Sequence, residues 1–545
     1  MHFPGQLTSP PWGADPVFEI RGLTYRYPDG HLALQNIDLK IFSGDRIALV
    51  GHNGAGKTTL VQHLNGLKRG QEGLVLYKGE VLEQEDLKRA RLEVGMLFQD
   101  PDDQLFCNTI YEDVAFGPIN QELYGEEMEA RVKEAIDEVD LGGLLYKPPH
   151  HLSYGQKKRA ALATLLAMHP QLLILDEPTA NLDPKQEKIF IELLSRFSGT
   201  LICISHDLPF LYSLCNRAVV LEQGKIHHDY SMRELVSSPA YLRDHGLDFT
   251  FRFSCCQDNG GHDHDHPHEI PHISAGNETD GVEVGRNEDR SSQPLIRLSN
   301  LSYTYPDGTQ GIRDISLEIG EGSGIAVVGE NGAGKSTLVR CLTGIISGSG
   351  EYLFADQVVA GRRRKEIWRH VGMVFQDPAD QLFCPSCREE VAFGPKQLKL
   401  DSNEVEARVE EALFQVRLSG FEDRVPHHLS AGERKRLAIA AVLSMRPRVL
   451  ILDEPSANLD PRSEELLMEI LTGLQATKIV ITHDIYLVSS LCERTLVMHG
   501  GRVIRDYRTE EFERDDHLVS INGLDYNFKN ECCRQILSLQ TYPNQ

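Results

Sequence analysis

The chain has 545 residues, 41% of them hydrophobic and 25% charged, which is typical of a folded globular protein with more than one domain. Its formal net charge of −24 disfavours a general affinity for nucleic acid or for an anionic lipid surface. The sequence shows no membrane-spanning run and no signal peptide, and its 11 cysteines are scattered, so we expect a protein of the reducing cytosol.

The first strong motif is a glycine-rich loop between a predicted strand at 46–50 and a predicted helix that begins near Thr59. Its sequence, Gly51-His-Asn-Gly-Ala-Gly-Lys57-Thr58, fits the phosphate-binding pattern G-x-x-x-x-G-K-[ST]. Glycines let backbone N–H groups close around phosphate oxygens, and the positive end of the helix faces the same anion. The lysine is expected to reach the β- and γ-phosphates, and the threonine hydroxyl to hold Mg²⁺.

The same loop occurs a second time, at Gly329-Glu-Asn-Gly-Ala-Gly-Lys335-Ser336, and the two halves of the chain align at an offset of 277–278 residues. Each half has a β-rich start, the loop and its helix, a helical middle, and apolar strands alternating with helices, which predicts an α/β domain with a largely parallel sheet. The expected segments are a first domain at about 17–249, a polar flexible linker at 250–293, a second domain at 294–527 and a tail at 528–545.

Paired carboxylates follow one predicted strand in each half. The apolar run Leu172-Leu-Ile-Leu175 is typical of a buried parallel strand, and Asp176 at its end can orient Mg²⁺ through water. Glu177 can take the proton of an attacking water or align that water. The second half carries Asp453 and Glu454 at the matching positions.

Two other polar positions recur at strand ends. Gln99 and Gln376 can bind Mg²⁺ or the attacking water, and they can move with a partner surface. His206 and His483 follow another apolar strand, where a neutral imidazole can contact the γ-phosphate.

An aromatic residue precedes each glycine-rich loop. Tyr27 and Tyr305 lie 24 residues before the first glycine of their loops, where the ring can stack on adenine. Tyr25 and Tyr303, two residues earlier, are the competing candidates.

A second anion-binding pattern starts a basic helix in each half. Leu152-Ser-Tyr-Gly155 and Leu429-Ser-Ala-Gly432 combine a helix-capping serine, a glycine that allows close approach, and a helix N-terminus. A second phosphate site in such a domain makes sense only between subunits. The serine of one half is therefore expected to close over the nucleotide held by the other.

Taken together, these motifs resemble the nucleotide-binding domains of ATP-binding cassette (ABC) proteins, from the Tyr25 and Tyr303 stretches through His206 and His483. The resemblance implies two tandem P-loop NTPase domains of α/β class. Each would have a mixed or parallel sheet core, an antiparallel β subdomain and a helical subdomain. The two cassettes would pair head to tail within the chain, with two ATP molecules and Mg²⁺ between them.

The resemblance also implies the residues of both ATP sites. In the first site the catalytic residues are Glu177, His206 and Gln99, and the Mg²⁺ ligands are Thr58, Gln99 and Asp176. The ATP-binding residues are Tyr27, Gly51, Asn53, Gly54, Gly56, Lys57, Thr58 and Thr59. Ser430 and Gly432 close the site. In the second site the catalytic residues are Glu454, His483 and Gln376, and the Mg²⁺ ligands are Ser336, Gln376 and Asp453. Its ATP-binding residues are Tyr305, Gly329, Asn331, Gly332, Gly334, Lys335, Ser336 and Thr337. Ser153 and Gly155 close this site.

Both sites keep a catalytic glutamate, so two active sites are expected. The family's L-S-G-G-Q signature reads Leu-Ser-Tyr-Gly-Gln in the first half and Leu-Ser-Ala-Gly-Glu in the second. The added bulk of Tyr154 predicts that the two sites hydrolyse ATP at different rates.

The stretch around Gln99 indicates the type of ABC protein more specifically than the other motifs do. Phe98-Gln-Asp-Pro-Asp-Asp-Gln-Leu-Phe106 and Glu112-Asp-Val-Ala-Phe-Gly117 resemble the ATPases of energy-coupling factor importers, and best their cobalt/nickel branch. That resemblance implies a protein on the inner face of the cell membrane. Its partners would be a transmembrane coupling subunit and a membrane substrate-binding subunit.

Two alternatives remain open: the same ATPase role for a vitamin or vitamin precursor, and a soluble twin-cassette ATPase acting on ribosomes or nucleic acid. Residues 257–293 carry nine Asp and Glu against two Arg, which would repel RNA, so we expect no nucleic-acid partner.

The linker and the tails carry metal-ligating residue types. His262, His264, His266 and His268 can bind a transition metal, although a solvated tether with incidental metal affinity explains them as well. The pairs Cys255-Cys256 and Cys532-Cys533 recur at the repeat offset and could form a thiolate site or remain ordinary thiols.

Overall fold

The computed structural model describes residues 15–245 and 294–512, together with Leu247 and Ile536. The histidine-rich stretch of the linker and both cysteine pairs lie outside the described residues, so the predictions made for them stay predictions. Within the described ranges, no helix combines the length and the apolar character that crossing a membrane requires.

The described part of the first half contains ten strands and nine α-helices. The strands are β1 (Phe18–Arg26), β2 (Leu32–Ile41), β3 (Arg46–Val50), β4 (Glu72–Tyr77), β5 (Glu80–Val81), β6 (Val94–Leu97), β7 (Leu172–Asp176), β8 (Thr200–Ile204), β9 (Arg217–Glu222) and β10 (Lys225–Ser231). The helices are α1 (Lys57–Leu64), α2 (Gln84–Glu93), α3 (Ile110–Asn120), α4 (Gly125–Glu138), α5 (Tyr154–Leu166), α6 (Pro184–Arg196), α7 (Leu208–Leu214), α8 (Met232–Ser237) and α9 (Pro239–Asp244).

The second half repeats this order. Its strands are β11 (Pro294–Thr304), β12 (Gln310–Gly320), β13 (Gly324–Val328), β14 (Ser349–Phe354), β15 (Gln357–Val358), β16 (Val371–Val374), β17 (Val449–Asp453), β18 (Thr477–Ile481), β19 (Arg494–His499) and β20 (Arg502–Arg508). Its helices are α10 (Lys335–Leu342), α11 (Gly361–Glu366), α12 (Cys387–Gln397), α13 (Ser402–Gln415), α14 (Ala431–Leu443), α15 (Pro461–Gly473), α16 (Ile485–Leu491) and α17 (Thr509–Phe512).

Each half is built on a six-stranded mixed sheet and a four-stranded antiparallel sheet. In the first half the orders are β10-β9-β3-β8-β7-β6 and β2-β1-β4-β5, and in the second they are β20-β19-β13-β18-β17-β16 and β12-β11-β14-β15. In the six-stranded sheets only the β9–β10 and β19–β20 pairs are antiparallel. The α/β class with a mixed core, an antiparallel β subdomain and helices is confirmed.

The central strands separate two hydrophobic layers, as their period-two pattern requires. In β3, Ala48 and Val50 face the core shared with the helical region, whereas Ile47 and Leu49 face the antiparallel sheet. All five residues of β3 are buried, which is why the four residues after Arg46 form a continuous apolar run.

Parallel pairing brings the polar residues together at one edge. Asp176 pairs with Ile204 across β7 and β8, so the residues that follow these strands share the sheet edge where the β3 loop begins. Crevices at the carboxyl ends of parallel strands are where ligands bind in α/β folds.

The end of the described chain returns to the first half. Ile536 is buried in the hydrophobic core of that half, in the same cluster as Leu247.

Candidate functional site

The glycine-rich loop of the first half curls around its own lysine. Lys57 is buried, and its Nζ donates to the backbone oxygens of Gly51 at 2.7 Å and His52 at 3.0 Å. Gly51 has φ 143°, and a Cβ there would lie 2.1 Å from the oxygen of Leu221. No other residue fits this close approach, so the backbone of the loop stays open to an anion.

Neighbouring groups suit ATP with Mg²⁺. Thr58 donates a side-chain hydrogen bond to Asp176, which brings together the hydroxyl and carboxylate oxygens that Mg²⁺ prefers. Among the described residues, none accepts a hydrogen bond from the buried Nδ2 of Asn53. These donors and acceptors fit the triphosphate and the ion that the sequence predicts.

The glutamates that follow β7 and β17 have a strained backbone and a partly desolvated carboxyl group. Glu177 has φ 45° and Glu454 has φ 41°, in the left-handed region that few non-glycine residues adopt. Burial raises the pKa of each carboxyl to about 7. A carboxyl group with a pKa near neutrality has the basicity that a general base needs.

The strand-end histidines lie beside these glutamates. His206 Nε2 is 3.7 Å from Glu177 Oε1 and 2.9 Å from Asn53 Oδ1, and His483 Nε2 is 3.7 Å from Glu454 Oε1. Burial, followed by the charge of Lys57, lowers the pKa of His206 to about 3. This imidazole is therefore neutral at physiological pH.

Of the two candidate tyrosines in each half, the one just after the first strand faces the loop. Tyr27 lines the cavity described below, and its hydroxyl is 3.0 Å from Thr59 Oγ1; Tyr305 and Thr337 are 2.9 Å apart in the same way. The competing Tyr25 packs against the hydrophobic core. The geometry favours Tyr27 as the ring that an adenine meets.

The first glycine-rich loop opens into a cavity of about 480 Å³ whose walls come from both halves. That volume lies in the range of small-molecule sites. The first half contributes Tyr27, Lys57, Thr58, Gln99, Asp176, Glu177 and His206, among others, and the second contributes Gln376, Asp377, Pro378, Ala431, Arg434, Lys435, Ala457, Asn458 and Leu459. Ala431 lines the cavity, whereas its neighbours Ser430 and Gly432 are not among the lining residues.

The second loop also faces the opposite half. Gln376 Nε2 donates to Asn181 Oδ1 at 2.6 Å, and the charge of Asp183 acts on Lys335. In the mirror arrangement, the charge of Asp460 acts on Lys57. The two halves therefore meet head to tail around both loops.

The signature serines cap the helices that follow them. Ser153 accepts from the backbone N–H of Gln156 while the Gln156 side chain accepts from the backbone N–H of Ser153, which is a capping box. Ser430 and Glu433 form the same box, so the change from Gln to Glu preserves the start of the helix.

Tyr154 makes the two halves differ. Its hydroxyl donates to the backbone oxygen of Gln99 at 3.3 Å, and the buried Lys158 beside it donates to the backbone oxygen of Glu177 at 3.1 Å. In the second half Ala431 replaces Tyr154, and the matching Lys435 donates to the backbone oxygen of Gln376 at 2.6 Å. The buried lysine therefore bonds a different loop in each half, and in the first half Tyr154 bonds the loop that Lys435 bonds in the second.

Several residues that act on the nucleotide site are not among those that the sequence predicts. Asp183 and Asp460 are two of them, and their charges act across the junction of the halves, on Lys335 and His206 respectively. Lys158 and Lys435 lie in the basic helices that follow the capping serines, and burial lowers the pKa of each to about 8. A lysine five residues after each capping serine is the available signal.

The model of the "ABC transporter" family matches residues 34–180 and 312–457. A protein of Methanosarcina acetivorans, named provisionally as an ABC transporter ATP-binding protein, is 34% identical and covers 93% of this chain and 88% of its own length. A similarly named protein of Caldanaerobacter subterraneus subsp. tengcongensis is 34% identical over 91% of this chain and 93% of its own length.

A solved structure of cbiO1 from Clostridium perfringens, described as part of the ABC transporter complex cbiONQ, is 35% identical over 44% of this chain and 99% of its own. Its TM-score of 0.39 supports no conclusion about fold or function.

Proposed function

Because this chain belongs to the ABC transporter family, as two ATP-binding cassettes in tandem, we propose that it is the ATPase of an energy-coupling factor importer whose cargo is cobalt or nickel ion. The observation that carries the ATPase part is the composite cavity, in which the glycine-rich loop of one half faces the signature helix of the other. A nucleotide bound there would touch both halves, so its binding and hydrolysis would bring them together and release them.

In the proposed reaction, Glu177 takes the proton of the water that attacks the γ-phosphate of ATP in the first site, and Glu454 does so in the second. Lys57 and the loop N–H groups hold the phosphates, and neutral His206 orients the γ-phosphate. Thr58 and Asp176 would hold Mg²⁺, which would neutralise charge on the phosphate oxygens. ADP and phosphate are the products.

Two exposed aromatic pairs support a membrane partner. Phe106 and Phe116 lie 5.1 Å apart between ring centroids, and Phe383 and Phe393 lie 5.0 Å apart at the matching positions. Their exposures are 66%, 49%, 65% and 43% in the same order. Exposed aromatic pairs repeated in both halves are typical of a protein-binding surface. We assign them to the transmembrane coupling subunit.

In the first half, hydrogen bonds link the loop that carries Phe106 to helices beside the nucleotide site. Asp113, buried in α3, accepts from the backbone N–H groups of Phe106 and Cys107, both at 3.0 Å. Gln104 Nε2 in the same loop donates at 2.8 Å to the backbone oxygen of Ala161 in the signature helix. This loop begins at Gln99, so a change at the γ-phosphate would move the aromatic surface.

The docking surface is tested with Phe106→Glu combined with Phe383→Glu. We expect this variant to keep the ATPase activity of the isolated chain and to lose co-purification with the membrane subunits. Phe414→Glu is the matched control, because Phe414 is 75% exposed and belongs to neither pair. Retained co-purification of the double variant would contradict the assignment.

The cargo rests on the likeness of the Phe98–Phe106 and Glu112–Gly117 stretches to cobalt/nickel importers. Uptake of labelled Co²⁺ and Ni²⁺ by cells with and without the chain tests it, with the Glu177→Gln and Glu454→Gln double variant as the inactive control. Loss of vitamin uptake with unchanged metal uptake would support the vitamin alternative. Co-purification with ribosomes in place of membrane proteins would support the alternative of a soluble twin-cassette ATPase that acts on ribosomes or nucleic acid.

A further inference from the structure

We propose that His227, His228 and His245 form a binding site for a divalent transition-metal ion such as Ni²⁺, Co²⁺ or Zn²⁺. One ring nitrogen from each of the three lies within 4.8 Å of the other two. The site is separate from both ATP sites, and it does not depend on the proposed cargo or on ATP hydrolysis.

A β-bulge explains how two consecutive strand residues share the site. Consecutive side chains normally point to opposite faces of a strand. In the β9–β10 pair, Ile226 pairs with Leu221 and His228 with Val220, so His227 is the extra, unpaired residue. A bulge redirects side chains in this way, and here His227 Nδ1 comes to 2.9 Å from His228 Nδ1.

The third histidine follows α9 and reaches back over the bulge. The ring centroid of His245 is 5.4 Å from that of His227 and 5.1 Å from that of His228. The residue is 7% exposed, and its Nδ1 is buried with no hydrogen-bond partner among the described residues. A buried nitrogen that donates or accepts nothing costs free energy, which a bound metal ion would recover.

The second half shows that the fold does not need these histidines. The same bulge occurs in the β19–β20 pair, where Ile504 is the extra residue and Arg505 follows it. At the position that matches His245 the sequence has Asn522. The bulge is therefore a feature of both repeats, and the histidines are confined to the first.

The geometry and the charges suit nitrogen-preferring divalent ions. Metal–nitrogen distances of about 2.0–2.1 Å place neighbouring ligand nitrogens about 3.3 Å apart in a tetrahedral site. The three nitrogens need to close by about 1.5 Å at most, which is within the reach of side-chain rotation. An imidazole binds a metal ion in its neutral form, which predominates above the ordinary histidine pKa of about 6.5. Water can supply the remaining positions.

The test uses the full chain without a histidine tag, in a background where His262, His264, His266, His268 and His272 are all replaced by serine. Bound Ni²⁺ and Zn²⁺ are counted after equilibrium dialysis, and Co²⁺ is followed by its visible absorption. We expect about one ion per chain. His245→Asn alone should weaken binding at least tenfold.

The matched variant takes its residues from the second repeat: His227→Ile, His228→Arg and His245→Asn. We expect it to bind no ion while keeping the circular dichroism spectrum and the ATPase activity of its parent. The proposal is wrong if the parent binds no ion, or if the triple variant binds as many ions as the parent.

Discussion

Replacing Glu177 and Glu454 together by glutamine should stop turnover while leaving ATP bound. Glutamine has nearly the same shape as glutamate but cannot accept a proton. Because the two side chains are only 16% and 19% exposed, water cannot easily take over their role. The loss should therefore be that of a general base, about 10²–10⁴ in kcat, or about 3–5 kcal/mol in activation free energy.

The raised pKa of Glu177 suits a general base that acts near neutral pH. Moving the pKa of Glu177 from 4.5 to about 7 makes its carboxylate a stronger base by more than two orders of magnitude. A carboxylate with an ordinary pKa would contribute correspondingly less to proton removal.

The assay is phosphate release under saturating ATP, together with the ATP that stays bound after gel filtration. We expect the double variant to retain about two ATP per chain and to release phosphate at most at a hundredth of the parental rate. The single variants, Glu177→Gln and Glu454→Gln, report each site separately. Hydrolysis by the double variant at the parental rate would refute the assignment of the base.

Three further outcomes follow from the same geometry. Because Glu177 acts as the deprotonated base and its pKa is raised to about 7, kcat/KM for ATP should rise between about pH 6 and pH 8. The ATP affinity of the double glutamine variant, measured over the same pH range, controls for the titration of ATP itself. Tyr154→Ala should let Lys158 reach the backbone oxygen of Gln99 and so reduce the difference in ATP turnover rate between the two sites. For a hydrogen bond worth about 1 kcal/mol, the reduction is up to about fivefold. An unchanged difference between the sites in single-turnover assays would contradict this expectation. Tyr27→Ala should weaken ATP binding by about 1–3 kcal/mol if the ring stacks on adenine, whereas Tyr27→Phe should not, and calorimetry distinguishes the two.

Local features of both cassettes could be predicted because short-range rules determine them. The loop from Gly51 to Thr58 requires glycine at its close approaches, and a buried strand before it requires an apolar run. Parallel pairing then brings Asp176 and His206 to the same edge, so the order of elements alone predicted that part of the site.

Other features depend on contacts between distant parts of the chain. The effect of Asp460 on Lys57 arises only when the halves face each other, and nothing near Asp460 in the sequence indicates its partner. The left-handed backbone of Glu177 has no residue-type signal, since glycine is the residue expected there. The bulge at His227 escaped prediction because a one-residue register shift reverses which face each side chain takes.

The crossed pairing of the two halves is the central claim, and two pairs of substitutions test it in the Glu177→Gln and Glu454→Gln background. Lys57→Ala with Ser430→Arg places both changes in one composite site, whereas Lys57→Ala with Ser153→Arg divides them between the two sites. Occluded ATP per chain is the measurement. Crossed sites predict about one ATP for the first pair and none for the second. None for the first pair and one for the second would show that each site is completed within its own half.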